Sequence, residues 1–185
     1  MIKITGGKLK GRKIFTVSGP GYRPATSRVR ESLFSSLGSL GFFRGDEVVL
    51  DVFAGSGALG FEALSRGAKT VYFVEKMPKA CASLKRTTLD LDLRENTVII
   101  CKDAFKALMN FPSRVKFDLI FVDPPYAKKC LLEIMNLILV NNLLKTNGVL
   151  IAEVEKSFCV EQDLFSLELI KEKLFGQTKV FIWKK

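Results

Sequence analysis

Asp123-Pro124-Pro125-Tyr126 follows directly on an apolar run, Phe117 to Val122, and concentrates more chemistry than any other tetrapeptide of the chain. Two prolines in succession remove backbone donors and fix the chain's direction. They leave the Asp123 carboxylate and the Pro124 carbonyl as acceptors, with an aromatic ring beside them. Such a set suits an exocyclic NH2 on a planar base, whose nitrogen lone pair is delocalised into the ring and is a poor nucleophile. Hydrogen bonds from both N–H groups to Asp123 and Pro124 favour pyramidalisation, so the lone pair becomes free to attack an electrophilic methyl in line. Tyr126 is placed to stack on a base swung out of its helix.

Upstream, Asp51-Val52-Phe53-Ala54-Gly55-Ser56-Gly57-Ala58-Leu59-Gly60 contains GxGxxG at Gly55, Gly57 and Gly60, between a predicted strand and a predicted helix. Glycines there allow a tight turn and the close approach of a ligand to the backbone. Glu75, 18 residues after Gly57, ends the next predicted strand, where a carboxylate accepts hydrogen bonds from both ribose hydroxyls. Spacing alone fits either NAD or S-adenosylmethionine. Asp51, four residues before Gly55, leans away from NAD, because a carboxylate repels a pyrophosphate and attracts an ammonium group. Asp103 follows the third strand, either to meet an adenine amino group or to cap the next helix, and both readings stay open.

The chain has no histidine, which excludes imidazole acid–base chemistry, Ser-His-Asp triads and HExxH zinc sites. Four scattered cysteines without a CxxC pair argue against a zinc site or a disulfide scaffold and suit a reduced cytoplasm. No export signal or membrane span is legible, so a soluble cytoplasmic protein is expected. Of the +10 net charge, eight positives fall within residues 1–30, which hold no Asp or Glu. The remainder carries 21 basic and 19 acidic residues, only +2. A neutral body with a basic front is the footprint of a polyanion binder. Ile2, Ile4, Leu9, Ile14, Phe15 and Val17 punctuate that front, with turn signals at Gly6-Gly7 and Gly11, as in short strands that carry lysines outward.

The elements that must position these groups alternate. Thr26 or Ser27 caps a helix with an apolar stripe at Val29, Leu33, Phe34, Leu37 and Leu40, ended by Gly41 and Gly45. Strands are predicted at 48–53, 70–74, 97–101, 117–122 and 148–154. Helices are predicted through Ala63 and Arg66 up to Gly67, from Pro78 to about Leu91, briefly after Asp103, and over 131–144. Apolar strands alternating with helices imply a parallel sheet covered on both faces. Segments 167–175 and 178–183, parted by Gly176-Gln177, read as a hairpin that ends the sheet antiparallel. With 185 residues, one domain is expected.

Beyond these motifs, the sequence resembles the bacterial RsmD-like family, which methylates the N2 of a guanine in small-subunit (16S) ribosomal RNA. The resemblance spans nearly the whole chain. It runs through Gly6-Gly7-Lys8-Leu9-Lys10-Gly11-Arg12, then Arg23-Pro24, then Arg28-Val29-Arg30-Glu31-Ser32-Leu33-Phe34. It continues through Asp51 to Gly60 and Phe61-Glu62-Ala63-Leu64-Ser65-Arg66-Gly67, and returns at Asp123 to Tyr126 and Phe175-Gly176-Gln177-Thr178. The Asp-Pro-Pro-Tyr box is shared with adenine-N6 DNA methyltransferases and related enzymes, so the N-terminal block and the Phe53-Ala54-Gly55-Ser56-Gly57 continuation carry the distinction.

The resemblance implies a Rossmann-like class I S-adenosylmethionine-dependent methyltransferase fold: an α/β chain with a mostly parallel seven-stranded sheet and an antiparallel last strand. A basic β extension over 1–25 would precede the methyltransferase domain, 26–185. Asp123, Pro124, Pro125 and Tyr126 are the candidate catalytic residues. Candidate cofactor contacts are Arg23, Thr26, Arg30, Asp51, Phe53, Ala54, Gly55, Ser56, Gly57, Gly60, Glu75, Lys76, Asp103, Ala104 and Asp123. Lys8, Lys10, Arg12, Lys13 and Arg28 are the candidate RNA contacts. The implied partner is ribosomal RNA, within an assembled or assembling small subunit, with no metal and no membrane, and a monomer is the default.

This chain departs from the family pattern at Ala25, where Thr is usual, and at Ser27, where Asp is frequent. Three other readings compete. An adenine-N6 DNA methyltransferase normally adds a target-recognition domain, for which 185 residues leave little space. A non-catalytic RNA-binding relative would have no need of all four residues from Asp123 to Tyr126. An NAD oxidoreductase explains neither that box nor the basic front.

Overall fold

The computed structural model describes residues 2–16, 26–124, 128–159 and 166–185, with backbone alone at 128–129. Two short strands open it, β1 (Ile2–Lys3) and β2 (Lys13–Ile14), paired antiparallel with Ile2 opposite Ile14 and Lys3 opposite Lys13. α1 (Ser27–Ser39) follows; Thr26, not Ser27, caps it, its Oγ1 accepting from Val29 N at 3.3 Å. Val29, Leu33, Phe34 and Leu37 form the buried stripe, whereas Leu40 lies past the last turn as the C-cap and is half exposed.

The alternating part comprises β3 (Val48–Val52), α2 (Ala58–Arg66), β4 (Thr70–Glu75), α3 (Pro78–Asp90), β5 (Thr97–Cys101), α4 (Ala104–Met109), β6 (Phe117–Val122) and α5 (Lys128–Val140). It ends in β7 (Leu144–Glu155), β8 (Glu168–Phe175) and β9 (Thr178–Lys184). α5 stops four residues short of the sequence expectation. Asn142 takes a left-handed φ of 50°, and Leu143 N turns back to Ile138 O at 2.9 Å, closing the helix so that Leu144 can enter β7. β7 is correspondingly longer than expected, and its pairing with β6 shifts register between Phe117 and Leu119.

Seven strands form one sheet in the order β5-β4-β3-β6-β7-β9-β8. β3 pairs in parallel with β4 and β6, β4 with β5, and β6 with β7, while β9 runs antiparallel to both neighbours. The order reverses between β3 and β6, so their carboxyl ends flank the crevice where open α/β sheets bind ligands. One face is covered by the N-terminal hairpin, α1, α2 and α3, packed on Val49, Phe73, Leu119, Phe121 and Ile151. α4 and α5 cover the other, on Leu50, Val74, Ile120, Val122 and Leu150.

α2 is buried on every side, from Ala58 to Ser65, because it is wedged between the sheet and the hairpin. Its two buried polar residues hold that hairpin. Glu62 Oε1 accepts from Thr5 N at 2.7 Å and from Arg30 Nε at 3.3 Å, and Glu62 Oε2 pairs with Arg66 Nη1. Arg30 also donates to Lys3 O at 2.9 Å. Ser65 Oγ donates to Gly6 O and accepts from Leu9 N, and Lys8 N reaches Ser65 O at 2.7 Å. At Gly7, φ is +76° and a Cβ would overlap the Ser65 carbonyl, so only glycine allows this approach. Phe15 is fastened to α3 through Thr87 and Ser83, under the Arg86 guanidinium, 3.9 Å above its ring. With Ile4 and Ile14 in the core, residues 2–16 of the basic front are part of the packed structure.

The cysteines correct one expectation. Cys81, in the first turn of α3, and Cys101, at the end of β5, form a disulfide with Cα atoms 6.0 Å apart. A β-α-β crossover brings its helix start and its second strand end to the same edge of the sheet, so residues 20 apart meet without any CxxC spacing. Cys130 and Cys159 are free. No helix among the described residues is long and apolar enough to cross a membrane.

Candidate active site

At the carboxyl edge of β3 the chain turns abruptly. Phe53 takes a left-handed φ of 61°, unusual for a bulky side chain, then Gly55 and Gly57 take 57° and 75°. Ala54 N donates to Val74 O at 3.0 Å and Gly57 N to Ala54 O at 2.7 Å, which folds the loop onto the end of β4. Gly57 is the N-cap of α2. A Cβ on Gly60 would strike the Phe73 ring and Val71, so Gly60 serves helix-to-sheet packing, and Ser56 and Ala54 lie buried beside it.

Two carboxylates flank this loop. Glu75 Oε2 accepts from Gly55 N at 2.9 Å and Oε1 accepts from Met77 N at 2.8 Å. Each oxygen keeps a second lone pair, enough for a ribose diol. Asp51 lies beneath the loop, 3% exposed, with Oδ2 accepting from Gly60 N at 3.0 Å. Burial, with the Glu75 charge adding to it and the Gly60 bond opposing it, pushes Asp51 up to about 8. Raised this far, Asp51 favours its protonated form near neutrality, and a cation placed beside it would draw its proton off.

Asp103 closes the far side as the N-cap of α4, its Oδ1 accepting from Phe105 N at 3.1 Å and Lys106 N at 3.3 Å. The capping alternative is thus realised; Oδ2 has no part in it. Ala104 is buried behind it and Lys76 is exposed at the end of β4.

Asp123 and Pro124 leave β6 directly beside this loop, since Val52 and Val122 are partners in the β3–β6 register. Asp123 stands well above the ordinary carboxylate value, chiefly through burial and then through Glu153 and Asp51. The β6–β7 register pairs Val122 with Ala152, which sets Glu153 next to Asp123 on the adjacent strand. Sequence reading missed Glu153; the available signal was a carboxylate following the apolar run Val149–Ala152.

Not every candidate joins this group. Arg30 is built into the Glu62 clamp, and Thr26 is the exposed cap of α1. Arg23, Ala25, Pro125 and Tyr126 lie outside the described residues. Of the RNA candidates, Lys8, Lys10, Lys13 and Arg28 are exposed, while Arg12 turns back onto α3, donating to Asp90 O at 2.7 Å and pairing with its carboxylate at 3.4 Å.

A seven-stranded sheet reversed only at β9, with a glycine loop after its third-from-edge strand and an acidic residue ending the next, defines a Rossmann-like class I methyltransferase fold. Residues 2–184 match the family model described as conserved hypothetical protein 95, and the chain belongs to this RsmD family. It is 35% identical over 179 residues to ribosomal RNA small subunit methyltransferase D of Haemophilus influenzae, covering 95% of this chain and 89% of the relative. The Escherichia coli protein of the same name is 33% identical over 184 residues, covering 100% and 90%. Among solved structures, the yhhF protein of Escherichia coli superposes with a TM-score of 0.84 at 30% identity, over 100% of this chain and 97% of that one. A chain solved in complex with SAH shares the fold at TM-score 0.69 and 18% identity, over 89% of this chain and 50% of that one.

Proposed function

We propose that this chain transfers a methyl group from S-adenosylmethionine to the exocyclic N2 amine of a guanine in small-subunit ribosomal RNA, in an assembled or assembling particle. The observation that carries the reading is Asp123-Pro124 at the end of β6, one strand from the glycine loop and two from Glu75. The names of the family's relatives support rRNA as the substrate. When bound, S-adenosylmethionine supplies an electrophilic methyl carbon on a sulfonium.

The residues fit that molecule. Glu75 keeps lone pairs for the ribose, the left-handed Gly55 and Gly57 turn the chain sharply at the end of β3, and Asp51 becomes the counter-charge to its ammonium by giving up a proton. Asp123 and the Pro124 carbonyl accept the two N2 hydrogens. As the N2 lone pair forms the bond to carbon, the carbon–sulfur pair stays on sulfur, and the amine proton passes to Asp123. Burial and neighbouring negative charge raise the basicity of Asp123, which suits that task. Lys8, Lys10, Lys13 and Arg28 meet the phosphates, with Tyr126 stacked on the extruded base.

Methyl-labelled S-adenosylmethionine tests the proposal on unmethylated small subunits, on RNA extracted from them, and on duplex DNA. Label in N2-methylguanine from either RNA substrate is expected. Label in N6-methyladenine of the DNA would replace this reading with an adenine methyltransferase.

A further inference from the structure

Glu153 has no part in the reaction as described, yet the fold delivers it to the reacting edge. Side chains alternate along a strand. On β6, Leu119 and Phe121 face the α1 side of the sheet, and so by alternation does Asp123; on β7, Val149 and Ile151 do, and so does Glu153. Because Val122 is registered with Ala152, the two carboxylates are the next pair along, projecting from adjacent parallel strands on one face. Glu153 is only partly buried and close enough for its charge to be felt at Asp123.

From this juxtaposition we infer that Glu153 selects guanine by accepting the hydrogen bond of its N1–H while Asp123 and Pro124 hold the N2 amine. The inference rests on the proposed role of Asp123 and names what picks the base. Three nucleobases carry an exocyclic amine. In adenine the ring nitrogen beside the amine is a bare lone pair, N1, and in cytosine it is likewise bare, N3. Guanine alone has a ring N–H beside its amine. A carboxylate at that point completes a bidentate contact with guanine and sets negative charge against a lone pair in the other two. The Asp-Pro-Pro-Tyr box accepts any such amine; a second acid one strand over makes it particular.

Two measurements test this, once the methylated position is mapped. Small-subunit RNA rebuilt by ligation with 2-aminopurine there keeps the 2-amino group and loses N1–H. The wild-type protein should disfavour it against guanine by roughly 100-fold or more in kcat/KM, as sites built around a hydrogen bond reject analogues lacking it. Equal use of the two bases by the wild type would overturn the inference without any variant. The second measurement is Glu153→Gln, whose amide can accept from N1–H or donate to a bare nitrogen. It should lower kcat/KM on guanine by about 10- to 100-fold, the range of a charge-assisted hydrogen bond. The guanine preference over 2-aminopurine and over adenine at the same position should shrink to within about 10-fold. Calorimetry should find cofactor affinity unchanged. An unaltered base ratio in a folded Glu153→Gln protein would make Glu153 a merely structural residue. Wild-type reactions that yield no N2-methylguanine from natural subunits would instead bring down the guanine reading itself.

Discussion

Asp123 and Asp51 both sit above the ordinary carboxylate value, for related reasons and with different consequences. On the proposed reading Asp123→Ala removes an acceptor of the amine hydrogens, and single-turnover transfer should fall by about 10²–10⁴-fold, the usual worth of a positioned acid–base group. Cofactor affinity should stay within a few-fold by titration calorimetry; its loss would make Asp123 a cofactor residue. In the wild type, transfer should decline as pH falls, and begin to do so well above the pH at which an ordinary aspartate protonates, since only the ionised form can take up the amine proton. Asp51 carries its proton up to about pH 8 when folded but ionises near 3.8 when unfolded. The folded state binds the extra proton in that window, so its stability erodes as pH rises from about 4 to 8. Thermal melts of the free protein should show this slope, and Asp51→Asn should flatten it. A matching slope in both would assign it elsewhere. Cofactor binding near neutrality should release the proton, seen as a buffer-dependent heat that vanishes in Asp51→Asn.

At the scale of elements, the decisive piece is α2, whose amino end carries the glycine loop and whose second turn carries the Glu62 clamp. Glu62→Ala would leave Arg30 and much of Arg66 buried without their shared partner, at a cost of about 3–5 kcal/mol for breaking a buried pair. Urea denaturation would measure it, and a loss below the error of the method would show that the hairpin is held by its apolar contacts alone. Much of this level was legible beforehand. Largely apolar runs marked the five parallel strands, and Gly176-Gln177 marked the hairpin that reverses β9. Contacts made across long separations were not. Glu62 reads as an ordinary helix surface glutamate until the hairpin covers it, and the Cys81–Cys101 pair depends on a crossover returning to the sheet edge. Arg30 looked like a cofactor contact, but periodicity cannot say which neighbour a buried guanidinium meets. Helix ends set by an asparagine, as at Asn142, are equally quiet.

For the molecule as a whole, charge placement bears on the proposed partner. Lys8, Lys10 and Lys13 stand exposed on a hairpin that is bolted down, and the phosphate contacts proposed for them should appear in the ionic-strength dependence of RNA binding. Replacing all three should flatten the log–log slope by about 2, at roughly 0.7 per contact on single strands. An unchanged slope would place the RNA elsewhere. Arg12 should matter less, being already paired with Asp90. The same bolting has a bearing on how the chain is made. The hairpin is synthesised before its anchors at Glu62, Ser65, Thr87 and Asp90, which lie 56 to 78 residues downstream. At a translation rate of about 5–20 residues per second, it waits on the order of several seconds for them. Throughout that interval a lysine-rich strand pair, with Ile4 and Ile14 uncovered, hangs beside the ribosome that is making it, itself a surface of ribosomal RNA.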